Sequence, residues 1–267
     1  MSMKDSILQL EKSNYPFSFD EPSYESYVFS HLYRLYLFLE AEKRPYAFFG
    51  GVGVAAYNGH LSRTLHDIDI IIPEGEEVAL VSRLHSEGFC EHPRKKTKRA
   101  NFRKFLFEDD RYQMIVAIFP GRFTLIDLGD VNMRGIGTYD FGPALERRTV
   151  RLIHALGGTG TVPVVVIPIE DMIITKLWPT FEPKSILDLI LLLGSDTASH
   201  LDFSYLSARV KQTESIRLVT LQTLKRFLAV YDGKCLWSRG LAKQDAIKAQ
   251  VQSLMNALDS TNVMSDI

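Results

Sequence analysis

The sequence predicts an α+β protein, a small mixed β-sheet flanked by helices, with a helical C-terminal half. Three observations predict it. Apolar and acidic residues alternate with strand period in "DIDIIIP", residues 67–73. Three β-prone runs, "ANFRKFLFED", "RYQMIVAIFP" and "GRFTLIDLGD", follow one another across residues 100–130, joined by short turn signals. From about Lys184 to Met255 apolar residues return at helical spacing, as in "ILDLILLL" and "IRLVTLQTLKRFLAVY".

Taken in order, residues 1–20 are polar and aromatic without a clear period. A helical pattern runs from about Ser23 to Glu42, with Tyr27, Leu32, Leu35, Phe38 and Leu39 on one face, and Pro45 ends it. "YAFFGG" reads as a buried strand, "VGVAAYNGH" as a short helix of small residues, and "DIDIIIP" as a strand stopped by Pro73. "EGEEVALVSRLHSEGF" has acidic residues in its first turn and Gly88 as its stop, so it reads as a helix. The three β-prone runs are expected to form an antiparallel meander. After a loop around "MRGIGTYDFGP", "VPVVVIPIEDMIITKLW" reads as a strand entering a helix whose first turn carries Glu170 and Asp171. The expected division is an N-terminal helical extension at 1–45, a core at 46–135 and a mostly helical domain at 136–267.

At 267 residues and 46% hydrophobic content the chain can bury a real core. Its net charge of -1 gives no global field toward nucleic acid or an anionic membrane. The two cysteines, Cys90 and Cys235, exclude a disulfide framework and a four-cysteine zinc site, which fits a reducing, cytoplasmic setting. The N-terminus lacks a secretory pattern and no apolar run reaches membrane-spanning length, so a soluble protein is expected.

The chemistry concentrates in "YAFFGGVGVAAYNGHLSRTLHDIDIIIP", residues 46–73. Gly51, Gly53 and Ala56 satisfy a dinucleotide-type pattern, but that fold wants its acid at the far end of the next strand, whereas Asp67 and Asp69 open it. His66 and Asp67 resemble a phosphohydrolase pair, yet those pairs sit on helices and this one has strand period. The remaining reading uses that period. Asp67 and Asp69, two apart, project from one strand face, where two carboxylates side by side call for a divalent cation between them. Mg²⁺ takes hard oxygen ligands and is commonly held by one or two carboxylates plus substrate phosphates. Gly50 and Gly51, at a strand end that opens a helix, let backbone N–H groups approach a phosphate at the positive helix end. Tight strand–helix packing is the plainer account of the glycines, and a strand cap or edge carboxylate that of the aspartates.

These residues, "GGVGVAAYNGHLSRTLHDIDIII", resemble the nucleotide-binding signature of the DNA polymerase β-type nucleotidyltransferase superfamily. The glycines, with Arg and Thr before D-I-D, are similar to the minimal nucleotidyltransferases grouped with AbiEii-type toxins and antibiotic-modifying enzymes. "VVVIPIEDMIITKLWPTFEPKSILDLILLL" resembles the family's second-half pattern, so the likeness spans roughly residues 46–194. It implies transfer of a nucleoside monophosphate from a nucleoside triphosphate to an acceptor hydroxyl, with two Mg²⁺ ions. It implies Asp67, Asp69 and a third carboxylate on a neighbouring strand as metal ligands and catalytic residues, the third being Asp127 in "FTLIDLGD", with Asp130 as competitor. Gly50, Gly51, Arg63, Thr64 and Lys176 become the nucleotide-binding residues. Arg63 and Thr64 are equally readable as turn residues, and Lys176 as an exposed helix lysine. Lys184 and Asp188 stand at helix i and i+4, an ordinary surface pair, or Asp188 helps to position the second half. "WPTFEPKS" departs from the family's usual link here and puts the role of Lys184 in doubt. The basic run 94–104 within "PRKKTKRANFRK" is a solvated loop or, through Lys95, Lys96, Lys98 and Arg99, an attractor of a phosphate-rich acceptor such as RNA or a help in neutralising the triphosphate. An antitoxin partner is a further implication of the resemblance. A nucleotide or partner binder without turnover is the alternative on the same fold.

Overall fold

A computed structural model describes residues 22–65, 67–86, 89–91, 103–108, 113–124, 138–156, 160–177, 183–212, 214–230 and 244–259. They fall into two compact units, one built from the described residues of 17–126 and 138–168, the other from those from Ile169 onward.

The first unit begins with α1 (Pro22–Glu42), β1 (Ala47–Phe49), α2 (Gly50–Asn58), β2 (Asp67–Ile72) and α3 (Glu77–Ser86). It continues with β3 (Cys90–Glu91), β4 (Arg103–Glu108), β5 (Gln113–Pro120), β6 (Arg122–Thr124) and β7 (Thr138–Asp140). The short helix α4 (Gly142–Glu146) and strands β8 (Thr149–His154) and β9 (Thr161–Val166) complete it. Seven strands form one mixed sheet in the order β3-β4-β5-β2-β1-β9-β8. Central β2 runs antiparallel to β1 and parallel to β5. Its alternation behaves as expected: Ile68 and Ile70 are fully buried while Asp67 and Asp69 keep partial exposure. The predicted face of α1 is buried at Tyr27, Leu32, Leu35 and Leu39, with Phe38 only half-buried, and this helix lies against β9.

Two expectations fail here. Of the third β-prone run only 121–124 are described, and they do not extend a meander: β6 pairs with β7 in a separate two-stranded sheet. The reason is bonding capacity: β5 already has β4 on one edge and β2 on the other, so no ladder edge remains for β6. The sheet also does not end near residue 135. The valine run of β9 slots parallel to β1 and brings its hairpin partner β8 with it, so residues 138–168 belong with the sheet, as does α1.

The second unit is helical: α5 (Ile169–Leu177), α6 (Pro183–Gly194), a 3₁₀ turn (Asp196–His200), α7 (Phe203–Val210), α8 (Glu214–Val230) and α9 (Gln244–Asp259). Its polar framework radiates from α5. Asp171 is fully buried, receives Arg209 Nε at 2.7 Å and accepts the Tyr205 hydroxyl at 2.7 Å. Glu170 accepts the Asp202 backbone N–H at 2.7 Å, and Asp202 in turn caps α7 by accepting from Tyr205 N. Lys176 Nζ meets the carboxylate of fully buried Asp188 at 2.7 Å. Among the described residues no helix is long and apolar enough to cross a membrane.

Removing one member of a buried ion pair strands the other charge. Lys176→Met should therefore lower stability by about 3 kcal/mol, the low end for such pairs because Lys176 keeps some solvent contact, and Lys176→Met/Asp188→Leu should recover most of it; urea denaturation of the three chains checks this. Burial pushes the Glu170 carboxyl above its ordinary range despite the hydrogen bond from Asp202. The folded state then holds more protons than the unfolded one between the ordinary carboxylate range and the raised value, so this group's contribution falls as pH rises through that window. Glu170→Gln should be at least as stable as the parent chain at pH 7, and its advantage should shrink as pH falls through the window, as read from melting curves at several pH values.

Candidate active site

The first unit carries a strand-to-helix junction with no intervening loop. β1 ends at Phe49 and α2 begins at Gly50, whose φ of 60° lies in the left-handed region that side chains resist. Phe49 makes no side-chain capping bond, and α2 is buried from Gly50 through Tyr57. Its first N–H groups form the positive end of the helix, to which Phe49 contributes no side-chain acceptor. The far end is anchored. Gly59 closes α2 in a left-handed conformation and accepts His154 N–H at 2.7 Å, Tyr57 donates its hydroxyl to Ile167 O at 2.8 Å, and the Arg151 guanidinium lies 4.1 Å from the Tyr57 ring centroid.

Antiparallel pairing sets Asp69 opposite Phe49, which brings its carboxylate to the start of α2. The approach is so close that a β-carbon on Gly50 would fall on the Asp69 carboxylate. A β-carbon on Gly51 would come 2.9 Å from Arg63 Nη2 and 2.7 Å from Leu65 Cδ2. Gly50, Gly51, Arg63 and Asp69 are thus brought together, with Asp67 two residues along the same face of β2. Arg63 donates Nη1–H to Thr64 O at 2.9 Å, so Thr64 takes part through its carbonyl. Gly51 therefore leaves room for the tips of Leu65 and Arg63.

The third carboxylate stands differently. Asp127 lies outside the described residues, as do His66 and Asp130. Beside the two aspartates of β2 the neighbouring strands place Phe49, Ile115 and Ala117. Among the described residues, no three His, Cys, Asp or Glu side chains gather as a metal site. Lys176 belongs to the second unit, where it is engaged by Asp188; Lys184 is exposed on α6. Of the basic run 94–104 only Arg103 and Lys104 are described, on β4.

One participant had no sequence signal. Tyr24, at the start of α1, donates its hydroxyl to Leu65 O at 2.6 Å and accepts Leu65 N–H at 2.9 Å. A contact across 41 residues from a stretch read only as helix leaves no trace in periodicity.

No protein-family model matches this chain, and no curated protein matches it significantly. Among solved structures it is similar to the lincosamide antibiotic adenylyltransferase LnuA in its lincomycin-bound form, at 16% identity over 75% of this chain and 96% of that one, TM-score 0.35. It is also similar to an antigenic nucleotidyltransferase-like protein from Paracoccidioides brasiliensis, at 14% identity over 85% and 94%, TM-score 0.46. The antibiotic-resistance factor ANT(2'')-Ia is a third, at 15% identity over 77% and 96%, TM-score 0.41. At these TM-scores the likenesses carry no functional argument, which rests on the site residues.

Two left-handed glycines offer an internal control on the junction. Gly59→Ala meets open space and should cost about 1 kcal/mol from conformation alone. Gly50→Ala adds the collision with Asp69 and should cost at least about 1 kcal/mol more. Equal costs by denaturant titration would show that the Asp69 carboxylate does not press on the helix start.

Proposed function

We propose that this chain is a nucleotidyltransferase, moving a nucleoside monophosphate from a nucleoside triphosphate to an acceptor hydroxyl with Mg²⁺. One observation carries the reading: the Asp69 carboxylate is seated against the glycine that opens α2, with Arg63 over the next glycine. The meeting of negative and positive groups there supports a site for a metal-bound triphosphate. The start of α2 and Arg63 supply donors to phosphate oxygens. Asp67 and Asp69 supply hard, partly exposed oxygens on one strand face, a donor set that suits Mg²⁺. Mg²⁺, when bound, supplies charge neutralisation to the triphosphate. The protein's own contribution is positioning, since phosphoryl transfer asks for alignment and electrostatic stabilisation more than covalent chemistry.

Asp127 remains the proposed third ligand and acceptor of the hydroxyl proton, completing a two-ion site. Lys176 remains a proposed nucleotide contact, although its pairing with Asp188 supports a structural role. The acceptor class is open between a small molecule, an RNA end and a protein side chain. RNA attraction through residues 94–104, a toxin role with an antitoxin partner, and a cytoplasmic location stay proposals resting on sequence alone.

A second reading is nucleotide binding without turnover: among the described residues, those paired with Asp67 and Asp69 on the neighbouring strands, Phe49, Ile115 and Ala117, carry no carboxylate. Incubation with each α-labelled nucleoside triphosphate, Mg²⁺ and cell extract separates the two. Label transfer with pyrophosphate release supports the enzyme; binding without release supports the second reading.

Asp67→Asn and Asp69→Asn keep shape and remove charge. Each should weaken Mg²⁺-dependent nucleotide affinity by roughly tenfold or more while leaving the melting temperature near that of the parent. Calorimetry showing parental affinity in both variants would falsify the metal-site assignment.

A further inference from the structure

We infer that Tyr24 is a positioning residue that holds Arg63 at the start of α2, so that α1 takes part in phosphate recognition; this rests on the phosphate-site reading above. The coupling runs through a single peptide plane. Tyr24 Oη accepts the N–H of Leu65 at 2.9 Å, and that N–H shares its peptide unit with the Thr64 carbonyl. The same carbonyl, on the opposite side of the plane, accepts Arg63 Nη1–H at 2.9 Å. The other guanidinium nitrogen, Nη2, lies 2.9 Å from the position a Gly51 β-carbon would take. Hydroxyl, peptide, guanidinium and helix start therefore form one chain of contacts, in which each hydrogen bond polarises the next.

The second bond of Tyr24 makes the arrangement rigid. Its hydroxyl donates to Leu65 O at 2.6 Å, so one oxygen fixes the peptide units on both sides of Leu65. Leu65 is itself buried, and its Cδ2 packs at the same Gly51 position as the guanidinium. The anchor is firm because α1 lies along β9 and Glu25, beside Tyr24, accepts Leu156 N–H at 2.9 Å. An arginine has many rotamers, and orienting its planar fork in advance reduces the entropy lost on gripping a phosphate.

The probe is inorganic tripolyphosphate with Mg²⁺, which engages the phosphate site without base or ribose. Affinity is measured by calorimetry for the parent, Tyr24→Phe, Arg63→Ala and Tyr24→Phe/Arg63→Ala, with melting curves for each. Loss of the hydroxyl should weaken binding by roughly tenfold in the parent background and by less than about twofold once Arg63 is absent. An equal loss in both backgrounds would overturn the inference, because Tyr24 would then act on the fold and not through Arg63. Unchanged affinity in Tyr24→Phe would overturn it as well. Absence of any binding by the parent, to tripolyphosphate or to nucleoside triphosphates, overturns the underlying phosphate-site reading together with it. A measurement independent of variant stability uses the parent chain: exchange of the Leu65 amide should slow at saturating magnesium tripolyphosphate, and exchange that does not change would refute the coupling.

Discussion

The register between β1 and β2 is the constraint on which the rest of the first unit depends. Because Phe49 pairs with Asp69, the last residue of one strand delivers the chain into α2 at the point where an acidic side chain from the next strand rises. That meeting admits only a glycine at position 50, since a β-carbon has neither conformational freedom nor space there. A one-residue slip would turn both aspartates into the core and both isoleucines out of it. Burial of Ile68 and Ile70 opposes that slip, so hydrophobic patterning and site geometry are enforced by the same pairing.

The charge distribution follows from that arrangement. The positive start of α2 favours negative charge nearby, and the Asp69 carboxylate sits there, with Arg63 over the next glycine. The second unit handles charge in the opposite manner. Glu170, Asp171 and Asp188 are withdrawn from solvent, and each meets a donor: a backbone N–H, an arginine with a tyrosine, and a lysine. Their satisfaction is internal, which marks them as parts of the helical framework. The pair on β2, by contrast, stays partly exposed.

Local signals in the chain proved readable where one interaction dominated. Alternation in "DIDIII", the small-residue helix, the stop at Pro73 and the entry from the valine run into α5 were legible because burial and backbone preference agree at those places. That helix opens at Gly50 and so takes in the glycine pair expected to end the strand. The facing of Asp69 beside the glycine pair was legible from strand period, whereas Arg63 entered only through the family resemblance and its place over Gly51 is set by the fold. The two readings of Asp188, a helix-surface partner of Lys184 or a positioning group, stayed open in the sequence, because helix spacing cannot reveal the cation Lys176 that another helix presents to it. The place of β8 and β9 was also hidden: a valine-rich strand looks the same whether it joins the first sheet or starts a second one.

By itself the sequence determined element types, the face on which both aspartates project, and the need for glycine where strand meets helix, because each is a property of short stretches governed by period and sterics. Tertiary structure alone decided that β6 leaves the main sheet, that β8 joins its far edge, that Lys176 serves Asp188 and that Tyr24 reaches Leu65. Those outcomes depend on which hydrogen-bonding edges and buried charges remain unmatched once other elements have packed. No window of sequence contains that information.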